Sequence, residues 1–138
     1  MREIMKNAKI VLGVSAGIAV YKAVEILRLL VKEGADVRVV MSANAGKFVT
    51  PLTFEALSGN PVYHTLFDSQ NSADMEHIRV AENADLLVVA PATASMLGKM
   101  AHGLADDALS NLHLAFKGSV LIAPAMNEGM WGHPAVRE

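Results

Sequence analysis

The stretch PAMNEGMW, residues 124–131, crowds Met126, Met130 and the chain's single tryptophan around one amide, Asn127. It follows a short apolar run, SVLIA, so it is predicted to be a surface loop at a strand end. An amide held among apolar groups is costly unless it meets a hydrogen-bond partner. A ligand carboxylate is such a partner. Flexible thioethers would exclude water from it and still move aside for entry. The plainer alternative is a packing cluster at a helix start. His77 is the second residue with chemical promise, at the predicted start of a helix after the polar loop FDSQNSADM. An imidazole titrates near neutral pH and can take a proton from a thiol or an acid. His64, His102, His113 and His133 have no comparable context. No histidine pair has zinc-binding spacing, and Asp106–Asp107 after Gly103 read as helix-capping residues rather than metal ligands. Gly13, Ser15 and Gly17 match G-x-S-x-G, the nucleophile elbow of hydrolases. The match follows the first strand and has no carboxylate obviously placed to orient a histidine, so it is set aside. The dinucleotide fingerprint fails on spacing. A phosphate loop with the Ser15 hydroxyl as donor survives better.

Strands and helices must alternate to position these residues. KIVLGV (9–14) is a continuous apolar run bounded by glycine, as in a strand buried on both faces. Ala19, Ala23, Ile26, Leu27 and Leu30 recur at helical spacing, with Gly34 as the stop. DVRVVM (36–41) is a second strand, and SANAGKFV leads toward another helix. Thr50 before Pro51 has the pattern of an N-cap with a first-turn proline. PVYH (61–64) is a candidate short edge strand. HIRVAENA forms a helix before the strand DLLVVA (85–90). Helices over SMLGKMAHG and DDALSNLHLAF precede the last strand, SVLIA (119–123). This order predicts one domain, a doubly wound α/β sandwich with a mainly parallel sheet. Ligands in such sheets bind beyond the carboxyl ends of the strands. GVSAGIA, MSANAGKF, APATAS and APAMNEGMW all fall there, each rich in small residues that let backbone approach a phosphate or a flavin.

Composition sets the outer limits. The chain has 138 residues, 52% hydrophobic, a formal net charge of −2 and no cysteine. That length can bury a core without disulfides or structural metal. The near-neutral balance lacks the basic stripe of a nucleic-acid partner, so none is expected. The apolar N-terminal run is short and broken by glycine. Nothing approaches the ~18 apolar residues of a membrane span, so a soluble, cytoplasmic protein is expected.

Five segments together, GVSAGIAVYKA, TPLTFEALSG, MEHIRVAENADLLVVAPATA, GLADDALS and PAMNEGMW, resemble the flavin-dependent cysteine decarboxylases. The resemblance is strongest to the decarboxylase half of the bacterial bifunctional decarboxylase–ligase of coenzyme A synthesis, and it covers essentially the whole chain. It implies a Rossmann-like flavoprotein fold with FMN at the sheet edge, in sites shared within a homotrimer or a multiple of trimers. Gly13, Ser15 and Ile18 would lie at the first flavin loop. Ser42, Ala43 and Phe48 would form the second, and Ala92, Thr93 and Ala94 the third. His77 matches the family's base and Asn127 its carboxylate-holding residue, while Met126 and Met130 match the substrate clamp. No metal is implied.

The implied reaction converts 4′-phosphopantothenoylcysteine to 4′-phosphopantetheine. Oxidation of the cysteinyl CH2–SH to a thioaldehyde creates the electron sink that loss of CO2 requires. The family's flap cysteine lies some tens of residues beyond PAMN. The sequence ends at Glu138 without it, without the family's last strand and helix, and without the ligase half. Residues 1–138 are therefore expected to be the flavin-binding decarboxylase domain of a longer protein, with full turnover in doubt for this chain alone. Two alternatives stand beside this reading: a peptidyl-cysteine decarboxylase whose product is the enethiol, and a flavin-binding regulatory subunit.

Overall fold

The computed structural model describes residues 5–65 and 72–138, without the side chains of residues 72–74, 76 and 77. Strand β1 (Lys9–Val14) leads through a short turn into helix α1 (Val20–Lys32), which returns to β2 (Asp36–Met41). The turn after α1 closes through Gly34, whose φ of 91° lies in the left-handed region that glycine adopts without strain. A single 3-10 turn (Ala45–Lys47) and helix α2 (Pro51–Ser58) follow. Thr50 occupies the N-cap of α2 and Pro51 its first turn, but the Thr50 side chain makes no capping bond. Then come α3 (Ser72–Glu82), β3 (Leu86–Ala92), α4 (Ala94–His102), α5 (Ala108–Ala115) and β4 (Ser119–Pro124). Two single-turn helices, α6 (Glu128–Trp131) and α7 (Pro134–Arg137), complete the described chain.

The four strands pair in the order β2-β1-β3-β4, all parallel. One face carries α1 and α2 over Ile10, Leu12, Val14, Val39 and Phe54. The other carries α3, α4 and α5 over Val11, Leu87, Val89, Met96 and Leu109. Alternate residues of β1 thus enter opposite cores, which explains why its run is apolar throughout rather than alternating. The doubly wound parallel fold expected from the sequence is present.

SANAGKFV leads into α2 as expected, through one 3-10 turn with Asn44 at a left-handed φ of 70° at its start. Three local expectations need correction. PVYH forms only an isolated bridge, Val40 to Tyr63, rather than an edge strand. Helix α3 begins at Ser72, five residues before His77, so His77 sits inside it. β3 runs two residues past Ala90, through Pro91. Proline cannot donate to a ladder, but its carbonyl can still accept.

Gly13 lies within β1, opposite Val40 on one side and Val89 on the other. A Cβ here would meet Leu109 Cδ1 of α5 at 2.5 Å. Leu109 is fully buried and its second methyl would lie only 3.4 Å from the same Cβ, leaving it little room to turn away. The glycine therefore sets how closely α5 approaches the sheet. Gly13→Val should destabilise the chain by about 1–3 kcal/mol through overpacking. Thermal unfolding should show the loss, with partial recovery when Leu109→Ala is added.

Candidate functional site

The strand order reverses between β1 and β3, and the loops after all four strands gather along that edge. Ser15 stands at the switch point, 1% exposed. Its amide donates to the Pro91 carbonyl at 3.3 Å. Its hydroxyl donates to the same carbonyl and accepts the Thr93 amide at 3.0 Å. The residue that heads the first loop is thus bonded to the third. A nucleophile elbow needs an exposed hydroxyl, and this one is enclosed and engaged at both donor and acceptor. Neighbouring donors remain available: the amides of Ala16, Gly17 and Ile18 donate to no described residue. A Cβ on Gly17 would meet Thr93 Cγ2 at 3.2 Å, a tight contact that the threonine methyl would have to give way to by a few tenths of an ångström. Ile18 itself is 80% exposed.

The second loop is tied to the first by the Ser42 amide, which donates to Val14 O at 2.9 Å. Ser42 is buried, Ala43 and Phe48 are exposed, and the Ala43 amide donates to Asp107 Oδ2 at 3.0 Å. In the third loop Ala92 is buried at the end of β3. Thr93 caps α4 by accepting the Met96 amide at 3.2 Å. Ala94 then opens the first turn of α4, where amides have no acceptor within the helix. A cleft of about 190 Å³ lies between these loops, lined by Ser15, Ser42, Asn44, Thr93, Ser95 and Lys99 among others. Among the described residues Lys99 is the one cation lining it, and its charge is more than offset by Asp106 (3.0 Å) and Asp107 (3.4 Å). An anion bound here would rely on hydroxyls and backbone amides. Small side chains and backbone amides suit a phosphate; the Asp107 carboxylate also lines the cleft, but its oxygens are taken up by Ser110, Ala43 and Lys99.

The fourth loop is anchored to the third, since the Ala125 amide donates to Ala92 O at 3.0 Å. Beyond it Asn127 caps α6, its Oδ1 accepting the Met130 amide at 2.8 Å. This revises the expectation of a desolvated clamp. Asn127 is exposed, Met126 half-buried, and Met130 and Trp131 each 44% exposed. The amide oxygen does find a partner, but it is the protein's own helix start. The nitrogen donates to no described residue, which leaves Nδ2 available to an acceptor beside a pocket of about 320 Å³ lined by Pro124, Ala125, Met126 and Trp131. His77 belongs to α3 by position, and its side chain lies outside the described residues. Among the described residues no acidic or histidine cluster could hold a metal, and no helix is long and apolar enough to cross a membrane.

Sequence reasoning read Asp107 as a cap, and it is one. Its Oδ1 accepts the Ser110 amide at 2.8 Å while Ser110 Oγ accepts the Asp107 amide at 3.1 Å. Burial works to raise its pKa, but the hydrogen bonds from Ser110 and Ala43 and the Lys99 charge outweigh it and hold the carboxyl below the usual aspartate value. Lys99 is held above its usual value: burial opposes its charge, and its bonds to Asp106 and Asp107 overcome that. Its proximity to the cleft was missed, because a lone lysine in SMLGKMAHG carries no local signal.

A doubly wound parallel sheet with small-residue loops gathered at its switch point defines a nucleotide- or flavin-binding class of α/β protein. Within that class the chain belongs to the Flavoprotein family, whose profile matches residues 1–138. It is 50% identical over 133 residues to the coenzyme A biosynthesis bifunctional protein CoaBC of Bacillus subtilis (strain 168), covering 96% of this chain and 33% of that protein. It is 48% identical over 127 residues to the CoaBC of Escherichia coli (strain K12), covering 92% of this chain and 31% of that one. The chain therefore spans about a third of the length of these curated relatives. Among solved structures it is similar to the FMN-dependent cysteine decarboxylase SpaF, with a TM-score of 0.85 at 32% identity over 96% of this chain and 77% of that one. It is also similar to a PPC decarboxylase C175S mutant complexed with pantothenoylaminoethenethiol, with a TM-score of 0.75 at 28% identity over 96% of this chain and 74% of the other.

The lowered pKa of Asp107 makes a signed prediction. A carboxylate whose folded pKa is depressed adds stability above its unfolded pKa, and that stability is lost as pH falls through the folded value. Denaturant titrations carried from neutral pH into the acid limb should therefore show a decline below the usual aspartate range. Asp107→Asn should flatten that part of the curve.

Proposed function

We propose that residues 1–138 are a flavin-binding cysteine decarboxylase domain that converts 4′-phosphopantothenoylcysteine to 4′-phosphopantetheine in coenzyme A synthesis. The observation that carries this reading is the bond from the Ala125 amide to Ala92 O, 3.0 Å, which joins the Asn127 loop to the third loop of the cradle. A carboxylate-binding amide and a phosphate-accepting edge then serve one ligand pair. Identity of 50% to a CoaBC protein across nearly the whole chain supports the substrate assignment.

In this reading FMN lies on the edge formed by Gly13, Ser15 and Ile18, by Ser42, Ala43 and Phe48, and by Ala92, Thr93 and Ala94. Gly13 contributes through the strand, letting α5 pack closely beneath the loops. When bound, FMN would supply the two-electron redox chemistry that no side chain here can provide. Asn127 donates from Nδ2 to the substrate carboxylate while its Oδ1 stays on the Met130 amide, so the helix start fixes the angle of the amide. Met126 and Met130 close over the carboxylate and exclude water, which favours departure of neutral CO2 over retention of a charge. His77 takes the thiol proton as general base. The exposed apolar side chains of Ile18, Tyr21, Phe48 and Leu52 beside the first two loops suit assembly as a homotrimer or a multiple of trimers. The cytoplasm is the expected compartment.

A second reading, a peptidyl-cysteine decarboxylase whose product is the enethiol, is supported by a likeness to the peptidyl-cysteine decarboxylase EpiD, with a TM-score of 0.79 at 26% identity. One experiment separates the two. The purified chain should carry a flavin absorbance band that bleaches on anaerobic addition of 4′-phosphopantothenoylcysteine. Asn127→Ala should retain the flavin band but slow bleaching by about 10- to 100-fold, the effect of losing a hydrogen bond to a charged group. Bleaching only with a peptide ending in cysteine would move the assignment to the second reading. A chain that takes up no FMN, or whose flavin stays oxidised with both substrates, would overturn both.

A further inference from the structure

Asp107 has a task beyond capping α5. Its side chain is nearly fully buried, and its two oxygens are divided between different elements. Oδ1 serves the head of α5, accepting the Ser110 amide at 2.8 Å and the Ser110 hydroxyl at 2.6 Å. Oδ2 accepts the Ala43 amide at 3.0 Å, 64 residues away in sequence, and Lys99 Nζ at 3.4 Å. A cap needs only the first oxygen; serine or asparagine would do that work.

The second oxygen holds an amide that its neighbours leave out, although Ser42 and Ala45 on either side are buried. Ala43 is exposed, so no packing of its methyl group fixes the loop. The next residue, Asn44, turns the chain into a left-handed φ of 70°. The flanking bonds, Ser42 N to Val14 O and Ala45 N to Ser42 O, fix the chain before and after the Ala43 amide but not the amide itself. Asp106 satisfies the Lys99 charge at 3.0 Å without Asp107, so the lysine alone does not explain a buried carboxylate here.

We propose that Asp107 is a positioning residue: its Oδ2 fixes the Ala43 peptide and thereby the shape of the Ser42–Phe48 loop on which FMN affinity depends. The inference rests on the reading of that loop as part of the flavin site. Asp107→Asn keeps the side-chain volume and a capping oxygen but offers one carbonyl where two oxygens are in use. Asp107→Ser keeps a cap too short to reach Ala43. Each should weaken FMN binding by about ten-fold or more, the usual consequence of leaving a polar group without its partner. Ser110→Ala is the control. It breaks the reciprocal cap while sparing the bond to Ala43, so it should lower the melting temperature and leave the FMN dissociation constant unchanged.

Fluorescence titration of FMN into the full chain reads the affinity, and amide hydrogen exchange at Ala43 reads the tie without any flavin. The expected result is faster Ala43 exchange and weaker FMN binding in both Asp107 variants, with neither change in Ser110→Ala. Unchanged Ala43 protection in the Asp107 variants would overturn the inference, as would equal weakening of FMN binding by Ser110→Ala. Should the unaltered chain take up no FMN, the functional reading falls and the loop's role in affinity with it. The exchange comparison would still decide whether Asp107 holds the loop.

Discussion

The site depends on one hydroxyl. Ser15 sits where the sheet reverses its winding, and it joins the ends of β1 and β3 through the Pro91 carbonyl and the Thr93 amide. These two strands are neighbours in space but 76 residues apart at this contact, so nothing local could hold their loops in register. A buried hydroxyl bonded at both its donor and its acceptor is satisfied and stiff. Its enclosure also settles why a G-x-S-x-G spacing here is not a nucleophile. The proton a nucleophile must release to a base is engaged instead in a hydrogen bond to the Pro91 carbonyl.

From that contact the edge is built outward in two directions. Toward β2, the Ser42 amide returns to Val14 and the Ala43 amide to Asp107. Toward β4, the Ala125 amide reaches Ala92. Each loop is therefore tied by main-chain atoms to its neighbour or to the helix beneath, and side chains are left free to face a ligand. Such preorganisation lowers the cost of binding, because little of the cradle must be ordered when the ligand arrives.

Much of this was legible in the sequence, and the reasons differ from place to place. β1 and β2 are legible to the residue, since both are valine-rich runs of six, too short for a helix and bounded by glycine or turn residues. β3 was cut short at its proline, because the missing donor counts against a strand while the available carbonyl leaves no trace in the letters. The start of α3 is misplaced because SADM ends a polar, turn-rich run and is too short to show a period of its own. The cap at Asp107 was legible as a residue type after a glycine. Its second bond was not, since Ala43 meets Asp107 only through the order of the strands. The loop around Asn127 was identified as important for a reason that proved incomplete. Its oxygen needed no ligand, and what the fold leaves open is the nitrogen.

The last strand bears on how firmly the fourth loop is aimed. β4 pairs with β3 along one row of amides and carbonyls, and the segment that carries Asn127 leaves directly from its end. The height of that amide above the flavin edge is therefore set by strand register. A slip of one residue in the β3–β4 ladder would turn every side chain of the strand to the other face and carry Asn127 off the edge altogether.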